Sequence, residues 1–271
     1  MSQPEQTASV SAGAQDGPAT PVGPDSDQLA YDPAAFTLAD MVRCGQALRL
    51  LAAESASMEE AGQRVTGYLY QRLRESASNN RACVLVRSFK THAYAGLSQD
   101  LRDFAVSMAA GTAIDKDTKC LTLLATSGDE PQWNSRRTSK GHRAIPLISE
   151  AMVGQFPMIA QLIRQLGLAT SDFIRTRDQI IKELDQRKFG VFHVPVATNS
   201  PFIPAQNDFV APYGVASVLG FGGMLPDGDL FVVIIFARVP IPASTAEMFR
   251  TIALNLKLGL LASLDKPVFA D

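Results

Sequence analysis

Residues Val215 to Ala237 read V-A-S-V-L-G-F-G-G-M-L-P-D-G-D-L-F-V-V-I-I-F-A, and this stretch decides the fold. Val215, Ser217, Leu219 and Phe221 alternate with Ala216, Val218 and Gly220, the period of two that a pleated strand gives its side chains. Pro226-Asp227-Gly228-Asp229 supplies turn chemistry, because proline presets one backbone angle and glycine accepts conformations that other residues resist. Leu230 to Ala237 is then a nearly unbroken β-branched and aromatic run, as in a strand covered on both faces. Together these segments predict a β-hairpin. Beyond Val239-Pro240-Ile241-Pro242, Ser244 and Glu247 have capping-box spacing, which predicts a helix from about Thr245. Phe249, Ile252, Ala253, Leu256 and Leu260 recur three and four residues apart and so share one face of it.

Outward from the hairpin, the proline-containing segment Pro195 to Pro212 predicts an extended loop over the surface or over a pocket. Phe189 to Val196 predicts a strand. Before it lies a helical insert at about 149–188: Ser149 caps its first part, Pro157 restarts a helix carrying Ile159, Leu162, Ile163 and Leu166, and Asp172 to Lys188 reads as a further, more charged helix. Ala82 to Phe89 and Cys120 to Thr126 read as strands, Thr91 to Gly96 as a loop, Leu97 to Met108 as a short amphipathic helix, and Ala144 to Leu147 as an edge strand. Near the start, Ser57 with Glu60 and Thr37 with Asp40 mark the caps of two helices. Residues 1–32, rich in Ser, Gln, Ala, Gly and Pro, are expected to be a disordered tail, and 265–271 a C-terminal tail. Residues 33–264 then form a single α+β domain, an antiparallel sheet with helices packed on one face and helices at both ends.

Composition narrows the function. A chain of 271 residues, 46% of them hydrophobic, can bury one large core. The net charge of −2, with Lys and Arg dispersed, offers no basic stripe to neutralise phosphates, so nucleic acid is not an expected partner. No apolar run is long enough to span a bilayer and the N-terminus has no signal-peptide pattern, so a cytoplasmic protein is expected. Cys44, Cys83 and Cys120 are odd in number and widely spaced, which predicts buried reduced thiols.

No catalytic or metal-binding set emerges. Gly220-Phe221-Gly222-Gly223 leads into a turn and a strand, where a phosphate cradle needs a helix N-terminus, so a bulge or close backbone approach in the hairpin explains it better. His92, His142 and His193 lack partners at metal-ligand spacing, although haem needs only one protein ligand and could use His142, His193 or Cys120. Cys83 and Cys120 lie in apolar strands, where a thiol is inert. Ser217 has no glycine two residues before it, as a nucleophile elbow requires. What remains is the polar stretch Ser127 to Arg143, which holds the single tryptophan. Trp133, Asn134, Arg136, Arg137, His142 and Arg143 there, with His193, Asn199, Ser200, Gln206 and Tyr213, suit a small polar or anionic ligand or a protein partner.

The opening helix and its Ser57–Leu73 partner, the Ala82–Phe89 strand and the closing G-V-A-S-V-L-G-F-G-G-M-L-P-D-G-D-L-F-V-V-I-I-F-A-R resemble a GAF-type sensory domain, a relative of the PAS fold. The resemblance runs from about residue 38 to 264. The segments C-L-T-L-L-A-T-S-G-D-E-P-Q-W-N and G-H-R-A-I-P-L are similar to N-terminal sensor regions of bacterial signalling proteins. It implies a GAF-like antiparallel sheet of about five or six strands, a pocket on one face closed by the middle helices and loops, and terminal helices available for a homodimer. The implied role is a non-enzymatic sensor that binds a small molecule and signals through those helices to a second subunit or a separate signalling protein. The alternatives are a ligand-free dimerisation scaffold and a haem- or metal-binding sensor. Two departures stand out: the 149–188 insert is longer than in the family, and no output module follows residue 264, so the output is expected to act through another protein. No cysteine motif for attaching a bilin aligns.

Overall fold

The computed structural model describes residues 29–165 and 190–270. Its strands are β1 (Cys83–Ala93), β2 (Lys119–Gly128), β3 (Ala144–Pro146), β4 (Gly190–Val194), β5 (Ser217–Met224) and β6 (Leu230–Ala237). They form one six-stranded open sheet in the order β3-β2-β1-β6-β5-β4, and every pairing in it is antiparallel. The hairpin is β5–β6, in register from Ser217 opposite Ala237 to Met224 opposite Leu230. Its turn closes with Leu225 N–H donating to the Asp229 carbonyl at 2.8 Å and Gly228 N–H to the Leu225 carbonyl at 3.0 Å. Every residue of β6 is buried, as a run without polar alternation requires.

The long helices α1 (Leu38–Ala53), α2 (Met58–Arg72) and α6 (Ala243–Leu260) pack on one face of this sheet. Phe249 of α6 lies between Phe36 and Phe221, with ring centroids 5.4 and 5.2 Å away. The helices α1 and α6 touch so closely that a Cβ at Gly259 would fall 2.4 Å from the Arg49 carbonyl oxygen. The other face is covered by α4 (Glu150–Gly154), α5 (Pro157–Gln165) and the segment from Ala197 to Tyr213, while α3 (Gln99–Met108) packs against β3 at the sheet edge.

The caps follow the sequence only in part. Thr37 Oγ1 accepts from Asp40 N–H and Asp40 accepts from Thr37 N–H, a complete capping box. Ser57 and Ser149 likewise accept from the amides of Glu60 and Met152. The last helix departs from expectation: α6 starts at Ala243, with Pro242 as its N-cap. Pro242 has φ −65°, already compatible with the entry to a helix. Ser244 therefore falls inside the first turn, and Glu247 pairs with Arg250 at 2.6 Å.

Strand and domain limits also need correction. The strand β1 runs on to Ala93, through the Thr91 expected in a loop, because Lys90 and Thr91 find buried partners at Asp229. The expected tail 1–32 ends too late: Tyr31 is 1% exposed and its N–H donates to the Arg72 carbonyl at 2.8 Å. The expected C-terminal tail is docked on α2, with Glu59 N–H donating to the Val268 carbonyl at 2.8 Å. A lone Tyr or Phe in a polar segment is too weak a local signal to reveal such docking. The predicted helix Asp172–Lys188 and residues 1–28 lie outside the described residues. Among the described residues, no helix is long and apolar enough to cross a membrane.

Candidate functional site

On the sheet face opposite α1, α2 and α6, the side chains leave a cavity of about 490 Å³. The strands present alternate residues to it, so its floor includes Leu85, Arg87 and Phe89 of β1 and Ile234 and Phe236 of β6. In the middle of the floor one cross-strand row reads Thr126, Arg87, Ile234. Phe156 and Ile159, near and on α5, with Phe202 and Phe209 of the proline-containing segment, make the apolar cover. Lying over the pocket is one of the two placements expected for that segment, but it is not an extended loop throughout: Gln206–Val210 and Ala211–Tyr213 are helical. Gln206 braces it from within: Nε2 donates to the carbonyls of Ala197 and Ile203, and Oε1 accepts from Asn199 N–H.

Trp133 and His142 line this cavity. The indole stands at 4.7 Å from the Tyr213 ring and 5.7 Å from Phe209, which in turn meets Phe236 at 5.1 Å. Tyr213 thus backs the tryptophan from outside the lining. Asn134 is a brace for the same wall. Its Oδ1 accepts from Gly128 N–H at 2.9 Å and its Nδ2 donates to the carbonyls of Gly128 and Glu130, which fixes the turn that carries Trp133. His142 has φ +57°, in the left-handed region, and its ring meets Phe156 edge-on. Crowding around the ring and the positive charge of Arg87 push its pKa down, although the side chain opens to solvent at the cavity mouth.

The other candidates are occupied elsewhere. Arg136 pairs with Glu59 of α2 at 2.7 Å and stacks over Phe269, 4.5 Å from the ring centroid. Arg143 pairs with Asp100 of α3 and lies over Phe104. His193 shares a strand face with Val191, toward the long helices, and donates from Nε2 to the Ile241 carbonyl at 2.8 Å. Arg137 reaches the Ala270 carbonyl. The 127–143 stretch therefore sends its arginines to three different neighbours, which spacing in one loop cannot foretell. Cys120 is fully buried opposite His92, and burial pushes its thiol up to about 12. Burial and then the Lys90 charge push His92 down to about 3, so neither group ionises to help the other. Among the described residues, no group of three or more His, Cys, Asp or Glu is placed to hold a metal ion.

The residue that sequence reading passes over is Arg87. Its signal was present: C-V-L-V-R-S-F-K puts one arginine inside an apolar strand, on the face it shares with Leu85 and Phe89. The guanidinium packs 5.4 Å from the Phe89 ring, and Nη2 donates to Ser139 Oγ at 2.8 Å and to the Gly141 carbonyl at 2.9 Å. These two bonds hold the 139–141 turn, and with it His142, over the cavity. Nε is buried without a hydrogen-bond partner. Burial lowers the Arg87 pKa to about 10, so the group stays cationic at neutral pH.

No family model matches the sequence, and no curated protein matches it. Among solved structures it is similar to CepR2 from Burkholderia cenocepacia, an N-acylhomoserine lactone dependent LuxR family transcription factor. The identity is 13%, over 84% of this chain and 99% of that one, with a TM-score of 0.37. It is likewise similar to the phycoerythrobilin-bound GAF domain of a cyanobacterial phytochrome, at 12% identity over 85% and 97% of the two chains and a TM-score of 0.39. Neither protein's ligand nor its role is carried over from likeness at this level.

Proposed function

We propose that the chain is a GAF-like, non-enzymatic sensory module that binds a small molecule in the cavity over β1 and β6 and passes occupancy to a second copy through α1 and α6. The cavity carries the reading. At about 490 Å³ it falls within the range of roughly 300–1,000 Å³ typical of ligand pockets, and its lining is mainly apolar with a few converging polar groups. A ligand-free scaffold would fill that space with side chains. Because Trp133 is the single tryptophan and stands in the wall, its emission reports occupancy directly. A bound ligand is expected to shift or quench that emission and to raise Tm by several degrees at saturation. Native mass spectrometry and visible absorption of the purified protein test for a retained ligand, haem included. A set of apolar dyes that leaves both emission and Tm unchanged counts against the reading.

The route to a second copy rests on the solvent sides of the terminal helices, where Leu38, Val42 and Leu50 of α1 and Leu254 and Leu258 of α6 are exposed. Apolar side chains on adjacent helices make a self-complementary strip of the kind that closes a two-fold dimer. Leu254→Glu with Leu258→Glu is expected to shift the protein from dimer to monomer in light scattering while dye binding in the cavity is retained. A wild-type protein that is monomeric at high concentration would reject this route.

A further inference from the structure

Among the described residues, nothing in the cavity balances the charge it holds: those that line it include Arg87, Lys140 and His142 and no Asp or Glu. Several other cations that are at least partly buried find carboxylates: Lys90 pairs with Asp229, Arg136 with Glu59, Arg143 with Asp100 and Arg238 with Asp129. Among the described residues, no carboxylate pairs with Arg87, whose two hydrogen bonds go to a hydroxyl and a carbonyl and whose Nε has no partner. Leaving a guanidinium in an apolar chamber without a counter-charge is costly, so the arrangement makes sense where something else supplies the anion.

We infer that the cavity takes an amphipathic organic monoanion, a carboxylate on an aromatic or alkyl body, with the carboxylate against the Arg87 guanidinium. The inference rests on the proposed ligand-binding role and adds the chemistry of the ligand. One fixed guanidinium matches one carboxylate, because the planar, permanently charged group keeps both its charge and its orientation when desolvated. Around it, Leu85, Phe89, Ile234 and Phe236 of the floor and Phe156 and Phe209 of the cover offer a mainly apolar and aromatic surface to the rest of the molecule. Lys140 lies at the exposed rim and favours entry of an anion over that of a cation. The 139–141 turn connects head group to cover. It is held by the same guanidinium that meets the carboxylate, so filling the site bears on the turn that carries His142.

The test is calorimetric titration of the full chain with matched pairs: decanoate against decanamide, and naphthaleneacetate against its primary amide. The acid of each pair is expected to bind wild type at least about tenfold more tightly than the amide, the size of a charge-assisted hydrogen bond. Arg87→Met should abolish the acid preference while keeping amide binding, and Arg87→Lys should retain part of it. Should Arg87→Met fail to fold, the acid–amide comparison in wild type and in Arg87→Lys still decides the matter. Equal affinity for acid and amide in wild type overturns the carboxylate inference and leaves the ligand cavity standing. Failure of all four compounds overturns the inference, and failure of the apolar dyes as well removes the cavity reading beneath it.

Discussion

Replacing Asp229 with alanine is expected to destabilise the protein by about 3–5 kcal/mol, seen as a fall in the urea midpoint at unchanged slope. Asp229 follows the hairpin turn and at first reading is a turn residue. In the fold, that role belongs to Asp227, whose Oδ1 accepts from Asp229 N–H at 2.9 Å. The Asp229 carboxylate instead meets the ammonium groups of Lys90 and Lys119 and accepts from Thr91 Oγ1 at 3.1 Å. Lys90 is only 3% exposed, so removal of the carboxylate strands its charge inside the protein, with Asp227 at 3.6 Å as the remaining acid. Exchanging both partners for apolar residues, as in Lys90→Met with Asp229→Leu, should recover much of the loss, because no buried charge is then left over. An Asp229→Ala midpoint equal to that of wild type would show that the cluster contributes nothing.

The same cluster gives a pH signature. Burial pushes the Asp229 carboxyl up, but the Lys90 charge and the hydrogen bonds from Lys119 and Lys90 outweigh it and hold the group below the usual aspartate range. Since the folded value is depressed, the stabilisation is fully present above the unfolded pKa and is lost as pH falls through the folded one. The gap between wild type and Asp229→Ala should therefore be flat near neutrality and close only below about pH 4.

Gly222→Ala is the second large effect. Gly222 lies in β5 opposite Val232, and a Cβ there would fall 2.1 Å from the Phe231 carbonyl oxygen and 3.0 Å from Val232 Cα. Both obstacles are backbone, so no rotamer change relieves them, and the two strands of the hairpin must separate. A loss of about 3 kcal/mol or more is expected, at or beyond the upper end for overpacked sites, with poor recovery of folded protein. Gly154→Ala is the control, since a Cβ there meets nothing within 4 Å, and its Tm should stay near that of wild type. A Gly222→Ala protein that melts with wild type would mean the strands do not approach so closely.

Gly222 also illustrates what could be read in advance. A glycine-rich strand leading into a turn argued against a phosphate cradle and pointed to a bulge or close backbone approach; the second is what the hairpin shows, and the neighbour that comes close lies only nine positions away. Arg136 is the opposite case. It stands three residues after Trp133, yet its partners are Glu59 and Phe269, far off in both directions along the chain. The candidate site was legible to the extent that its loop and its tryptophan were singled out. Its centre was not, because Arg87 looked like an interruption in a strand.

By itself the sequence determined the hairpin, the apolar face of the last helix, the caps at Thr37, Ser57 and Ser149 and the α+β class. Each depends on side-chain periodicity or on a hydrogen bond reaching three or four residues, and such interactions are written in the order of the chain. Tertiary structure alone decided that Lys90 and Thr91 belong to a strand, that Tyr31 and Phe269 are docked, and that Arg87 faces a chamber with no carboxylate among its described lining residues. Those outcomes turn on whether a buried charge or hydrogen-bonding group meets a partner, and the partner is chosen by the folded sheet from residues far away along the chain.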